Sequence, residues 1–222
     1  MIDSTILTDP YIYVVDNVLA KDKCMEIIEK FDKDQDHQIQ GVTGAGVMLS
    51  VKNSRDIMVT LCENWQKEDA LFRNLINEYH QQYFDHLNHP STSNFVSYVT
   101  GERYIYGPFY LDQGDLDILD TGYQIQKTDP GKGYTWHNDF NLYKGGSTVR
   151  YLTFILYLND VEEGWTQFYN GDQVSPRAGR LVFFPATWTY VHQGYPPKQT
   201  KYIMTGWMHT AQKTKEKENG EN

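Results

Sequence analysis

From about residue 95 to residue 209 the chain runs as short alternating segments broken by turn signals, and this pattern limits the fold more than anything else in it. The turns read DPGKG at 129–133, KGG at 144–146, NDVEEG at 159–164, NGD at 170–172, SPRAG at 175–179 and YPPK at 195–198. Strands punctuated every 8–12 residues or so point to a sandwich or barrel. Aromatic residues make up 14% of the chain, with 17 Tyr and 10 Phe, which suits pleated, half-buried surfaces. Upstream, residues 11–19 (YIYVVDNVL) read as a buried opening strand. Cys24, Ile27, Ile28 and Phe31 then follow at helical spacing. A second helical region spans roughly 61–88, with Leu61, Trp65, Leu71, Leu75, Tyr79, Tyr83 and Phe84 as its apolar face. Between the two lies a polar stretch, 34–55, with Gly41, Gly44 and Gly46 and no clear period. Such a loop is either a lid over a site or a plain surface loop. Residues 1–210 read as one domain, and 211–222 (AQKTKEKENGEN) as a charged, disordered tail.

The formal charge of −9 and the absence of a Lys/Arg cluster outside the tail argue against a nucleic-acid partner. No run approaches about 18 apolar residues, so no membrane span is expected. The N-terminus lacks the pattern of a signal peptide, and the expected compartment is the cytosol. Cys24 and Cys62 form no framework and read as buried thiols, while His80, His86 and His89 do not share a helix face and read as ordinary histidines.

The chemistry gathers around GYTWHND, residues 133–139. In an extended chain, residues i and i+2 point the same way, so one strand end can aim His137 and Asp139 at one ion. A His-x-Asp pair alone is a short motif that also arises by chance. His192, in WTYVHQG, follows a run of strands able to return the chain to the same place. Two imidazoles and a carboxylate on one face of a metal leave positions open for a bidentate cosubstrate and O2, which suits Fe(II). Zinc favours a tetrahedral set. Lys201 opens the strand KYIMTGW and shares a face with Ile203, Thr205 and Trp207, leaving Tyr202, Met204 and Gly206 on the other. A lysine on such a face needs an anionic partner, which a small dianion would supply. In RYLTFILYL (150–158), Leu152, Phe154, Leu156 and Leu158 form a core face, and Tyr151, Thr153, Ile155 and Tyr157 form a mixed face able to line a polar pocket.

Taken in order, PGKGYTWHND, RYLTFILYLNDVEEG, PRAGRLVFFPATWTYVHQG and KYIMTGW resemble the prolyl 4-hydroxylase-like branch of the iron(II)/2-oxoglutarate dioxygenases, and YIYVVDNVLAKDKCMEII resembles the strand and helix before that core. The resemblance implies a mainly β fold with flanking helices, built on a double-stranded β-helix (jelly-roll, cupin-like) core. It implies Fe(II) held by His137, Asp139 and His192, with 2-oxoglutarate and O2 as cosubstrates and ascorbate as a reductant. The basic residue that pairs the distal carboxylate falls on Lys201. Tyr157 and Thr166 match residues that bond that carboxylate in different members, and Tyr134 matches an active-site tyrosine. Arg150 and Trp207 sit where some members contact a peptide. The chain departs from the family where Glu163-Gly164-Trp165-Thr166 replaces Gly-Gly-Glu-Thr.

The implied reaction is hydroxylation of a prolyl residue in a peptide or protein, with release of succinate and CO2. Two other readings stay open: the same chemistry on a nucleobase, a free amino acid or another small metabolite, or a jelly-roll ligand-binding module without turnover, its triad structural or zinc-bound. Asp139 argues against a halogenase, which needs a vacant site there. Oligomeric state has no signature in the sequence.

Overall fold

A computed structural model describes residues 3–88, 95–96, 103–104, 116–141 and 148–212. In chain order the elements are β1 (Tyr13–Val15), α1 (Lys21–Lys33), β2 (Ile39–Gln40), β3 (Arg55–Met58), two 3-10 turns, α2 (Gln66–Asn88), β4 (Phe95–Val96), β5 (Arg103–Tyr104), β6 (Leu116–Asp120), β7 (Gln124–Thr128), β8 (Tyr134–His137), β9 (Thr148–Tyr157), β10 (Thr166–Phe168), β11 (Gln173–Val174), β12 (Arg180–Pro185), β13 (His192–Gly194) and β14 (Lys201–Gln212). They form a major sheet ordered β1-β12-β9-β14-β7-β3-β2, with β6 also on β14, and a minor sheet ordered β11-β10-β13-β8. β4 and β5 pair with each other. This is the mainly β jelly-roll architecture expected, with two helices against it. The turn at 144–146 and His89 lie outside the described residues.

The central strands are near-continuous apolar runs because both faces of the major sheet are buried. On one face, Leu152, Phe154 and Leu156 of β9, Leu181 and Phe183 of β12 and Met204 of β14 pack with Cys24, Ile27 and Phe31 of α1 and Phe72, Ile76 and Tyr83 of α2. On the other, Ile155, Tyr157, Val182 and Phe184 meet Phe168 and Val174 of the minor sheet. Period-2 alternation thus sorts each strand between a helix-side core and an inter-sheet core.

Several expectations need correction. The opening strand is only three residues long: Asn17 takes a φ of 59°, which ends it. Leu61 is 80% exposed, because it sits in a 3-10 turn before α2 and not on the buried face of that helix. Tyr151 leaves the pocket face predicted for it. Met208 and His209 of β14 pair with Leu152 and Arg150, so Tyr151 is the extra residue of a β-bulge. Its side chain turns toward α2, where its hydroxyl and His80 Nε2 are 2.8 Å apart. Strand β14 continues through Ala211 and Gln212, paired with Asp117 and Leu116, so regular structure runs two residues into the segment read as a tail.

Nor is the stretch 34–55 without pattern. It holds the β2–β3 pairing and a turn closed by Thr43 and Gly46. Its end lies along β8: Thr135 N donates to Val51 O (2.9 Å) and Asn53 N to Gly133 O (3.0 Å). Buried Arg180 bonds the carboxylates of Asp3 and Asp16 and ties the N-terminal segment down. The described helices include none long and apolar enough to cross a membrane. Cys24 and Cys62 are buried free thiols.

Candidate metal centre

Strands β8 and β13 are antiparallel neighbours, and His137 and His192 stand directly opposite each other in the ladder. Backbone pairing closes the long sequence gap between them, bringing their ring centroids to 4.3 Å. Asp139 arrives differently from the prediction. Strand β8 ends at His137, and Asn138 Oδ1 accepts the Phe140 backbone N–H (3.2 Å), an Asx turn that bends the chain. Thr153 Oγ1 of β9 then donates to Asp139 Oδ2 at 2.8 Å. A turn and a hydroxyl, not strand alternation, aim the carboxylate. Its two oxygens stand 3.8 Å from His137 Nε2 and 3.6 Å from His192 Nε2, and all three ligand atoms lie within 4.8 Å of one another.

The hydrogen bonds assign the imidazole tautomers. His137 Nδ1 donates to Thr135 O (2.7 Å) and His192 Nδ1 to Tyr190 O (2.9 Å). A carbonyl can only accept, so each Nδ1 carries a proton, which leaves Nε2 of each ring as the atom that faces Asp139 and can ligate. Burial, then the facing His192, pushes His137 down to about 4, which leaves it neutral at physiological pH. Burial alone would raise Asp139, but the two imidazoles and the Thr153 hydroxyl outweigh it and hold the carboxyl below its usual value. Two imidazoles and one carboxylate, oriented in part by backbone carbonyls, are a donor set that fits a divalent cation with open positions. Tyr134 stacks on His137 at 3.5 Å between centroids.

The cluster opens into a cavity between the sheets, whose lining includes Thr153, Ile155, Tyr157, Thr166, Lys201, Ile203, Thr205 and Trp207. The predicted pocket faces of β9, Tyr151 aside, and of β14 are therefore where alternation put them. At the inner end, Lys201 is buried and donates to Gly164 O at 2.6 Å. Beside it, the Tyr157 hydroxyl and Thr166 Oγ1 are 2.6 Å apart, and burial raises the Tyr157 phenol to about 12, keeping it protonated. Thr166 thus reaches the cavity despite the altered loop before it. Arg150 stands with its Cζ 3.9 Å from the Trp207 ring centroid. Strict alternation would have put Arg150 on the core face; the bulge at Tyr151 carries it across. Sequence reasoning missed Gln126 and Thr128, which line the cavity from β7 opposite Ile203 and Lys201. The alternation in QIQKT was the available signal.

Burial lowers the Lys201 amine from 10.5 to about 8. Only the ammonium can pair with a carboxylate. Below pH 8 the charged form already dominates, so dianion affinity should be flat with pH. Above pH 8 binding must take up a proton, and affinity should fall by roughly tenfold per pH unit. Empty, the pocket follows the opposite sign: burying the ammonium costs stability below pH 8, and that cost is relieved as pH rises from 8 to 10.5. Titrating 2-oxoglutarate binding between pH 7 and pH 10 checks the first statement; a flat profile would contradict it.

Residues 123–209 match the family model described as the 2OG-Fe(II) oxygenase superfamily. Comparison with curated proteins gave no match. Among solved structures, the chain is similar to a viral collagen prolyl hydroxylase of Paramecium bursaria Chlorella virus-1 in its complex with 2OG (18% identity over 90% of this chain and 96% of that one, TM-score 0.53). It is also similar to a Pseudomonas putida prolyl-4-hydroxylase (17% identity, 91% and 93%, TM-score 0.58). A third is a Trichoplax adhaerens prolyl hydroxylase in complex with a hypoxia inducible factor oxygen degradation domain peptide fragment (14% identity, 90% and 83%, TM-score 0.62). At these identities the structural likeness establishes the shared fold.

Proposed function

We propose that this protein is an Fe(II)- and 2-oxoglutarate-dependent dioxygenase that hydroxylates a prolyl residue in a peptide or protein, a reading supported by the match of residues 123–209 to the 2OG-Fe(II) oxygenase superfamily. The observation that carries the chemistry is the His137–Asp139–His192 cluster opening onto a cavity that ends at a buried lysine. The substrate class rests on the prolyl hydroxylases that share the fold over most of the chain, one of them in complex with a peptide.

When bound, Fe(II) supplies O2 activation coupled to oxidative decarboxylation of 2-oxoglutarate to succinate and CO2, with one oxygen atom going to the substrate carbon. The chain's own residues do the rest. His137 and His192 present their Nε2 atoms, and Asp139 supplies the negative charge. Lys201 would hold the far carboxylate of 2-oxoglutarate, with the Tyr157 and Thr166 hydroxyls as donors beside it. Ile155 and Ile203 make the walls between apolar, which excludes water and strengthens the charge pairing. Tyr134 orients the His137 ring by stacking on it. Arg150 and Trp207 form a cation–π pair that would meet the substrate chain. Ascorbate as reductant and the cytosol as compartment belong to this proposal; two buried free thiols are compatible with reducing surroundings.

The test is mass spectrometry of the protein incubated with Fe(II), 2-oxoglutarate and panels of proline-containing peptides, free amino acids and small metabolites. A peptide that gains one oxygen atom on proline, with stoichiometric succinate, is the expected result. Oxygen gain only on a free amino acid or metabolite would replace the substrate class. No succinate under any condition would leave a binding module without turnover.

A further inference from the structure

We propose that the Glu163–Gly164 turn is the positioning element for Lys201, its Gly164 carbonyl aiming the buried ammonium at the distal carboxylate of 2-oxoglutarate; this rests on the cosubstrate assignment above. Lys201 donates to Gly164 O at 2.6 Å, deep between the sheets. That carbonyl faces inward because two successive residues take left-handed backbone angles, Glu163 at φ 61° and Gly164 at φ 65°. Glycine adopts this region freely, whereas glutamate is disfavoured there by its Cβ. Such an outlier persists only where the surroundings over-determine it, and it points to function when it meets the chemistry.

The surroundings do over-determine it. Glu163 bridges to Pro197, Lys198 N donates to Glu162 O (3.1 Å) and Glu162 N donates to Gln199 Oε1 (2.8 Å). Lys198 Nζ lies 2.9 Å from the Glu162 carboxylate and 3.1 Å from that of Glu163. The turn is therefore locked to the residues that lead directly into Lys201, so the amine and its carbonyl move as one unit. Pro197 fills the space behind the turn: a Cβ added at Gly164 would come within 2.8 Å of the Pro197 Cβ. Two residues further on, Thr166 presents its hydroxyl to Tyr157. One short run thus places several polar groups at the inner end of the cavity.

A turn that merely connected β9 to β10 would affect all ligands alike when disturbed. A positioning element should affect only ligands that use Lys201. Calorimetry on Mn(II)-substituted, oxygen-free protein would compare 2-oxoglutarate with 2-oxopentanoate, which lacks the distal carboxylate, in the unaltered protein and in Gly164→Ala, Pro197→Ala, Lys201→Ala and the Gly164→Ala/Lys201→Ala double variant. The expected result for Gly164→Ala is a loss of about tenfold in 2-oxoglutarate affinity, the scale of one hydrogen bond to a charged group. Binding of 2-oxopentanoate should stay within about twofold, and the loss should vanish in the Lys201→Ala background. In turnover, KM for 2-oxoglutarate should rise while kcat at saturation holds. Gly164→Ala adds an atom at a crowded place and risks misfolding. Pro197→Ala removes atoms instead and should show a smaller loss with the same selectivity for the diacid. Equal losses for both acids, or a Gly164→Ala effect that persists without Lys201, would overturn the proposal. If Lys201→Ala itself binds 2-oxoglutarate normally, the cosubstrate assignment falls with it; if Lys201 matters and neither turn variant does, only the positioning role falls.

Discussion

Asp139→Ala should abolish succinate formation and the rise in Tm that iron gives the protein, while leaving the metal-free protein folded. The loss should exceed the 10- to 100-fold or so that changes around a metal's direct ligands typically cost, because a charged ligand itself is gone. Two imidazoles would remain, with no anion to balance a divalent ion. The metal-free protein should still fold but lose some stability, because the contacts that hold the carboxyl below its usual value, the Thr153 hydrogen bond among them, go with the side chain. One such bond contributes about 1 kcal/mol. Ligand linkage sets the reference: iron at a hundred times its Kd should stabilise the unaltered protein by about 2.7 kcal/mol. Scanning calorimetry with and without Fe(II), alongside a succinate assay, reads both quantities. Asp139→Asn, which keeps the shape and loses the charge, should fail in the same way. Undiminished turnover or an intact iron-dependent Tm shift in either variant would remove Asp139 from the centre.

Lys201→Met should raise the 2-oxoglutarate concentration needed for half-maximal turnover by about 200- to 4000-fold, with a much smaller change in kcat at saturation. Breaking a buried ion pair by removing one partner costs about 3–5 kcal/mol, since the remaining charge is left desolvated. Here that charge would be the far carboxylate, in a cavity walled by Ile155 and Ile203. Methionine keeps most of the stem, so packing against the pocket is retained and the effect isolates the ammonium. The metal-free, unliganded variant should be no less stable, because burial already disfavours the charged amine. Steady-state kinetics over a wide 2-oxoglutarate range separates the cases: an unchanged KM would take Lys201 out of the pocket.

Much of this was legible in the residues themselves. The turn signals pointed to a sandwich or barrel, which the family resemblance narrowed to a jelly roll, and alternation in RYLTFILYL and KYIMTGW placed Thr153, Ile155, Tyr157, Lys201 and Ile203 on the cavity side. These readings succeed because side-chain direction in a strand is a local property with a period of two. Where a bulge interrupts the period, the same rule fails. Tyr151 goes to α2 and Arg150 comes over to Trp207, because pairing with β14 admits one extra residue, which no pattern within β9 reveals.

Local chemistry was enough to nominate His137, Asp139 and His192, and no more. That the two histidines are direct ladder partners follows from β8–β13 register, which is set by strands far apart in the chain. The aim of Asp139 depends on Thr153 from another sheet, and that of Lys201 on a strained turn braced by Pro197. Residue type and spacing specify which groups are available and which face of their own strand they occupy. Their final distances are long-range contacts, settled when both sheets close over a shared core, and so they are visible only in the folded chain.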